Sequence, residues 1–288
     1  MDSSTDLSLV TARRLANHAA AHADDDGALL AATVAAVRAA GAHMLARFDA
    51  QTRTPDDLQG VVAAIHANDG VSLAVARELL MDARPNAGWV DDELEGGALP
   101  GGEWWVFDPV EGNVNHVHGL SAWGVSATLV RDNVPVLTAV HEPVVGRLYT
   151  AVRGSGAAYV NGVPMRPSNK TELKAAIVTT GQAKPGETPE THRRLGESVT
   201  SMLNAALVVR MTVPATFELG MVAAGQIDGF WQYSDVRSGL AAGALLVSEA
   251  GGVVTDTRGH PWTLASEDFL ASAPGVHGDA VRALSLVA

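Results

Sequence analysis

The stretch richest in chemistry runs Trp104-Trp105-Val106-Phe107-Asp108-Pro109-Val110-Glu111-Gly112-Asn113-Val114-Asn115. An apolar run ending in Asp-Pro reads as a buried strand that stops at a loop, with its acidic groups presented to water or a ligand. Asp108 and Glu111, with the Val110 carbonyl between them, can cradle one or two divalent cations. Gly112 and the residues after it can offer backbone N–H groups to an anion, because glycine permits close approach and unusual dihedrals. A cation site beside an anion site is what phosphate-ester chemistry needs, since metal ions neutralise phosphoryl oxygens and ionise a water while fixed N–H groups hold the group under attack. The same residues also read as a strand followed by an acidic surface turn.

The elements that must position these residues follow from periodicity. Apolar residues recur at helical spacing from Ala28 to Phe48, Asp49 to Leu58 is a polar loop, and Val71 to Leu80 is a second helix. Residues 1–27, rich in Ala, His and Asp, read as a loose helix or an arm. From Trp123 to Val160 the pattern is β, split at Asp132-Asn133 and Val145-Gly146, with Asn161-Gly162 as a hairpin turn. Beyond Pro167 strands and helices alternate: Ala175–Thr179, Glu190–Leu203, Leu207–Arg210, Ala215–Ala224 and Leu240–Glu249. Early strands and late alternation predict an arm (1–27) and two subdomains, 28–167 and 168–288, forming an α/β sandwich.

With 47% hydrophobic and 18% charged residues, the 288-residue chain has the balance of an ordinary soluble globular protein, long enough for a substantial core. A net charge of −12 argues against non-specific nucleic-acid binding, and an acidic protein handling phosphates needs metal ions or local dipoles to offset repulsion. Lys170, Lys174 and Lys184 are the only lysines, and no cysteine is present, which excludes disulfides, thiolate metal sites and cysteine nucleophiles. No basic, apolar leader opens the chain and no uninterrupted apolar run reaches membrane-spanning length, so a cytoplasmic protein without a membrane partner is expected.

The Trp104–Asn115 segment resembles the signature of the inositol monophosphatase family. Val117-His118-Gly119, Gly124–Val130, Glu142-Pro143, Leu148–Ala151 and Arg153–Ala157 resemble its continuation, and Ala241–Val247 with Glu249-Ala250-Gly251-Gly252 resembles its second signature. The likeness spans about Ala28 to Trp262. It implies an αβαβα layered sandwich of the inositol monophosphatase/fructose-1,6-bisphosphatase type, a homodimer, and Mg2+- or Mn2+-dependent hydrolysis of a small phosphorylated metabolite of inositol, sugar, histidinol or nucleotide type.

Carried over residue by residue, the resemblance places metal ligands at Asp108, the Val110 carbonyl and Glu111, which stands where the family has an aspartate. The upstream ligand falls on Asp92, with Glu93 as rival; Asp91 and Glu95 read as a solvated acidic loop. The last ligand falls on Gly239 without gaps, or on Asp235 if the helix is slipped by a turn, so fewer ions than usual are expected. The water-orienting pair becomes Asn113 and Asp69, with Asp92 also assigned a catalytic part. Asn113 lacks the hydroxyl that relays a proton. Gly112 and Asn113 hold phosphate, while Ala215, Glu218 and Gln232 fall on the substrate side. Glu218 reads either as a new acid, base or ligand or as a solvent-facing helix residue, and His116 as a packed ring or a catalytic group. His118 and the tryptophans read as structural, Arg147 and Arg153 as surface charges. These departures leave open a repurposed member doing elimination, cyclisation or isomerisation with Glu111, Glu218 or His116 as acid or base, or a catalytically weak binding protein.

Overall fold

The computed structural model describes residues 4–49, 54–92, 94–183, 186–234 and 236–287, with side chains from residue 25 onward. Helix α1 (Ser4–Arg47) takes in most of the expected arm, and α2 (Leu58–Ala83) starts well before Val71. Asp57 caps α2, its Oδ1 accepting from Gly60 N at 2.7 Å. Its buried face carries Asn68, Ser72, Ala76 and Leu80, so polar and small residues stand where an apolar stripe would have marked the helix. The Asp25–Arg47 part of α1 is long and apolar enough, by length and composition, to cross a membrane. Here its inner face lies in the core: Leu29, Val37, Ala40 and Met44 are buried.

Seven strands form the first sheet in chain order: β1 (Gly88–Trp89), β2 (Glu103–Glu111), β3 (Gly124–Arg131), β4 (Val134–Glu142), β5 (Arg147–Val152), β6 (Ala158–Val160) and β7 (Val163–Pro164). All neighbours are antiparallel except β1 and β2. Asp132-Asn133 and Asn161-Gly162 have positive φ at both residues, the type I′ geometry that suits tight hairpins. Between β2 and β3 lies a one-turn helix, α3 (Asn113–Val117).

The second sheet contains β8 (Ile177–Thr180), β9 (Val208–Met211), β10 (Gly229–Gln232), β11 (Val253–Thr255) and β12 (Phe269–Ser272), in the order β11-β12-β10-β8-β9. Its helices are α4 (Pro189–Ala205), α5 (Ala215–Ala223), α6 (Arg237–Glu249) and α7 (Pro274–Leu284). Helices α1 and α2 cover one face of the first sheet, α5 and α6 fill the space between the sheets, and α4 and α7 cover the outer face of the second. The result is the αβαβα layered sandwich. Gly243 lets α5 and α6 meet closely, since a Cβ there would lie 2.5 Å from Leu219 Cβ.

Candidate active site

Residues i and i+3 of a regular strand point to opposite faces, so Asp108 and Glu111 can share a face only if the strand is irregular. It is. Asp108 pairs with Ser126 and Glu111 with Gly124, three steps on β2 against two on β3, which is a β-bulge of one extra residue. Ser126 Oγ then donates to Glu111 Oε1 at 2.7 Å, putting Asp108, Ser126 and Glu111 on one side of the sheet. Val110 N donates to Asp108 Oδ1 at 3.1 Å and Ser238 Oγ to Asp108 Oδ2 at 3.3 Å, so α6 reaches the same point.

Asp108 and Glu111 are both buried. Burial pushes the Glu111 carboxyl up; hydrogen bonding to Ser126 and the approach of Thr216 and Asp108 pull the other way. Two carboxyls in one water-poor place hold a proton or a cation between them. Thr216 Oγ1 is buried beside Glu111 with no hydrogen bond of normal geometry. It also lies 2.8 Å from where a Cβ on Gly239 would sit. The volume that a side chain at 239 needs is therefore already taken by Thr216.

Gly112 caps α3 with φ of 69°, a left-handed conformation, and a Cβ there would come within 2.8 Å of Ala122 O. Asn115 Nδ2 braces this turn by donating to Ala122 O at 2.7 Å and Val213 O at 2.9 Å. Asn113 donates from Nδ2 to Asp69 Oδ1 at 2.7 Å and to Ile65 O at 3.0 Å. Its Oδ1 accepts from Asn68 Nδ2 at 2.9 Å. Asn68 Nδ2 also lies 3.1 Å from His116 Nδ1, while His116 Nε2 lies 3.2 Å from Met44 O. A carbonyl only accepts, so Nε2 carries the proton and Nδ1 the lone pair. Burial lowers the His116 pKa, in keeping with a neutral ring held on both nitrogens and packed edge-on against Trp123. Burial raises Asp69, against the hydrogen bond from Asn113.

Other expected residues stand elsewhere. Asp92 is exposed, and its Oδ1 accepts from Leu94 N at 3.1 Å and Glu95 N at 3.2 Å, closing its own turn rather than joining Asp108. Arg237 holds that turn through Asp92 O at 3.3 Å and Gly96 O at 2.6 Å. Asp235 and Glu93 lie outside the described residues. Ala215 opens α5 beside Gly239. Gln232 is buried, with Nε2 donating to Ser234 O at 2.5 Å and Oε1 packed on Gly181. Glu218 is buried rather than solvent-facing, and it lines a different cavity together with Glu142, Arg147 and Arg210. Ser126, Ser238 and Asn68 join the site without having been expected there.

The sequence model of the inositol monophosphatase family matches residues 28–286. The chain belongs to the inositol monophosphatase family. It is 32% identical to an inositol-1-monophosphatase of Rhizobium meliloti (strain 1021) over 81% of this chain and 86% of that protein. It is 34% identical to the Nus factor SuhB of Pasteurella multocida (strain Pm70) over 63% of this chain and 68% of that one. The inositol monophosphatase structure from Anabaena (Nostoc) sp. PCC 7120 superposes with a TM-score of 0.77 at 25% identity, covering 91% of this chain and 97% of that one.

The family generally uses Mg2+, so the donors can be tested against it. Among the described residues no group of three or more His, Cys, Asp or Glu side chains could hold a metal ion. Asp108 and Glu111 are hard oxygen donors, buried together next to an orphaned Thr216 hydroxyl. Such a set suits one hard cation. A second cation finds no further carboxylate at this point among the described residues, since Asp92 closes its own turn and position 239 is glycine.

Proposed function

We propose that this chain hydrolyses the phosphate monoester of a small phosphorylated metabolite, slowly, with one Mg2+ or Mn2+ at Asp108, Glu111 and the Val110 carbonyl. The observation that supports it best is the bulge that gathers Asp108, Glu111 and Ser126 on one face, directly before Gly112 and Asn113. The cation, when bound, offers a Lewis acid to phosphoryl oxygens and acidifies water. Gly112 and Asn113 offer the phosphate their backbone N–H groups. Asp69, raised by burial and steadied by Asn113, is the group that takes a proton from the attacking water. Asn113 has no hydroxyl and both ends of its amide are engaged, so it positions Asp69 without relaying a proton. A homodimer in the cytoplasm completes this reading, and the SuhB name of one relative makes a transcription-linked partner the contrasting outcome for a pull-down.

The test is phosphate release from inositol, sugar, histidinol and nucleotide phosphates, with Mg2+ and with chelator. Slow, metal-dependent release is expected, together with loss of calorimetric cation binding in Asp108→Asn. Release that is indifferent to chelator, or cation binding that survives in Asp108→Asn, would place the chemistry elsewhere. The burial of Glu111, which pushes its carboxyl up, favours one second reading, in which it serves as a general acid in a non-hydrolytic reaction. Consumption of a phosphorylated substrate without phosphate release would mark that case.

A further inference from the structure

A second group of charged side chains lines a cavity that reaches the Gly112 turn through Ala122, Val213 and Pro214 but does not include Asp108. Glu142 ends β4 and Glu218 sits in the first turn of α5, only 5% and 4% exposed. Burial pushes both carboxyls up. Oε1 of Glu142 and Oε2 of Glu218 have no hydrogen-bond partner. Oε2 of Glu142 stands 3.9 Å from Arg147 and Oε1 of Glu218 stands 3.7 Å from Arg210. Those spacings exceed the roughly 2.7–2.9 Å of a charge-assisted hydrogen bond. The Tyr149 hydroxyl approaches Glu142 and the Thr179 hydroxyl approaches Glu218, yet one oxygen of each carboxyl lacks a hydrogen bond of normal geometry. Folded proteins leave few buried polar groups so, and these two oxygens have room for a charged donor.

Both glutamates and both arginines line one cavity of about 220 Å³, whose other walls are largely apolar, with Val213, Phe217 and Met221 among them. Neither Asp108, Glu111, Asn113 nor Asp69 lines it. A lone cation in this space would satisfy the glutamates and leave the arginines facing it; a lone anion would do the reverse. A neutral polyol would balance neither. We propose that the cavity binds a small zwitterion of amino-acid size, with its ammonium held by Glu142 and Glu218 and its carboxylate by Arg147 and Arg210. An ammonium has three donors and no acceptor, which matches carboxyl oxygens without partners. Guanidinium groups match a carboxylate in a two-point contact. The apolar walls suit a short aliphatic chain between the two ends.

Calorimetric titration of the intact protein with glycine, L-valine and 4-aminobutyrate tests this, with butylamine, butyrate and myo-inositol as single-feature probes. At least one zwitterion binds saturably, one per chain, and the three single-feature probes do not compete with it. Glu218→Gln and Arg210→Gln each weaken it by about tenfold or more, whereas Asp108→Asn leaves it unchanged. Glu218→Gln keeps the shape of a buried residue, and Arg210 is half exposed, so at least one of the two variants folds as judged by circular dichroism. The proposal fails if no zwitterion binds at millimolar concentration, if butylamine or myo-inositol binds as tightly, or if both variants bind normally. It also fails if Arg210→Gln changes only the sedimentation of the protein, for then a second copy of the chain fills the cavity.

Discussion

Thr216 and Gly239 behave as one position divided between two helices. Restoring an aspartate at 239 looks from the sequence like a route to stronger metal binding, yet its Cβ alone would meet Thr216 Oγ1 at 2.8 Å. Gly239→Asp on its own should therefore lower the thermal midpoint without adding a bound cation. Combined with Thr216→Ala it should raise the calorimetric stoichiometry from one to two. Asp92→Asn should leave cation affinity unchanged, because that carboxylate serves the backbone of its own turn; a tenfold loss would return Asp92 to the metal. Asn68→Ala removes the donor to Asn113 and His116 and should cost about 1–3 kcal/mol in urea denaturation. The pKa of His116 is lowered from 6.5 in the fold. Its neutral form thus contributes stability above that value, which is lost as the pH falls through the lower folded pKa. Asp108, Glu111 and Asn113 are legible in the sequence because they are nearly consecutive around one strand end. Asn68 and Ser238 are not, since an asparagine in mid-helix and a serine in a helix's first turn carry no signature until packing sets them against residues far along the chain.

Between elements, the strongest polar tie joins α1, α2, β2 and β3. Arg84 holds Glu103 through Nε at 2.7 Å, Arg131 holds the same carboxylate at 2.7 Å, and each arginine continues to Asp25 or Asp26. The Arg84 hydrogen bond is the largest cause that lowers the Glu103 pKa. A depressed carboxylate contributes stability above its unfolded pKa, and that contribution disappears as the pH falls through the folded one. Glu103→Gln should therefore cost about 2 kcal/mol near neutrality and flatten the acid limb of a melting-temperature profile. An unchanged acid limb would mean that the tie is decorative. The hairpins of the first sheet are readable from Asp132-Asn133 and Asn161-Gly162, whose turn chemistry is local. The start of α2 is not readable by apolar period, because its buried positions are Asn68, Ser72 and Ala76 while Leu58 faces solvent; its Asp57 cap was the better signal. The short β10, β11 and β12 owe their existence to neighbouring strands more than to their own few residues.

For the molecule as a whole, α6 matters most because it touches both sheets and brings Ser238 to Asp108. Gly243→Leu would drive it from Leu219 and should destabilise the protein by about 3 kcal/mol. Urea unfolding followed by circular dichroism and by tryptophan fluorescence should still coincide, since Trp105 and Trp231 lie in different sheets that share this helix. Separate transitions would show two independently stable halves. The bulge in β2 bears on which inherited changes the molecule can survive. A substitution at 108 or 111 removes one acidic group. Loss of a single residue at 109 or 110 removes neither, and because residues i and i+2 of a regular strand share a face, the restored ladder would keep both groups on one side. A frame-preserving deletion of one codon there would leave a sound sheet and both acids facing one way, without the bulge and with one backbone carbonyl fewer between them.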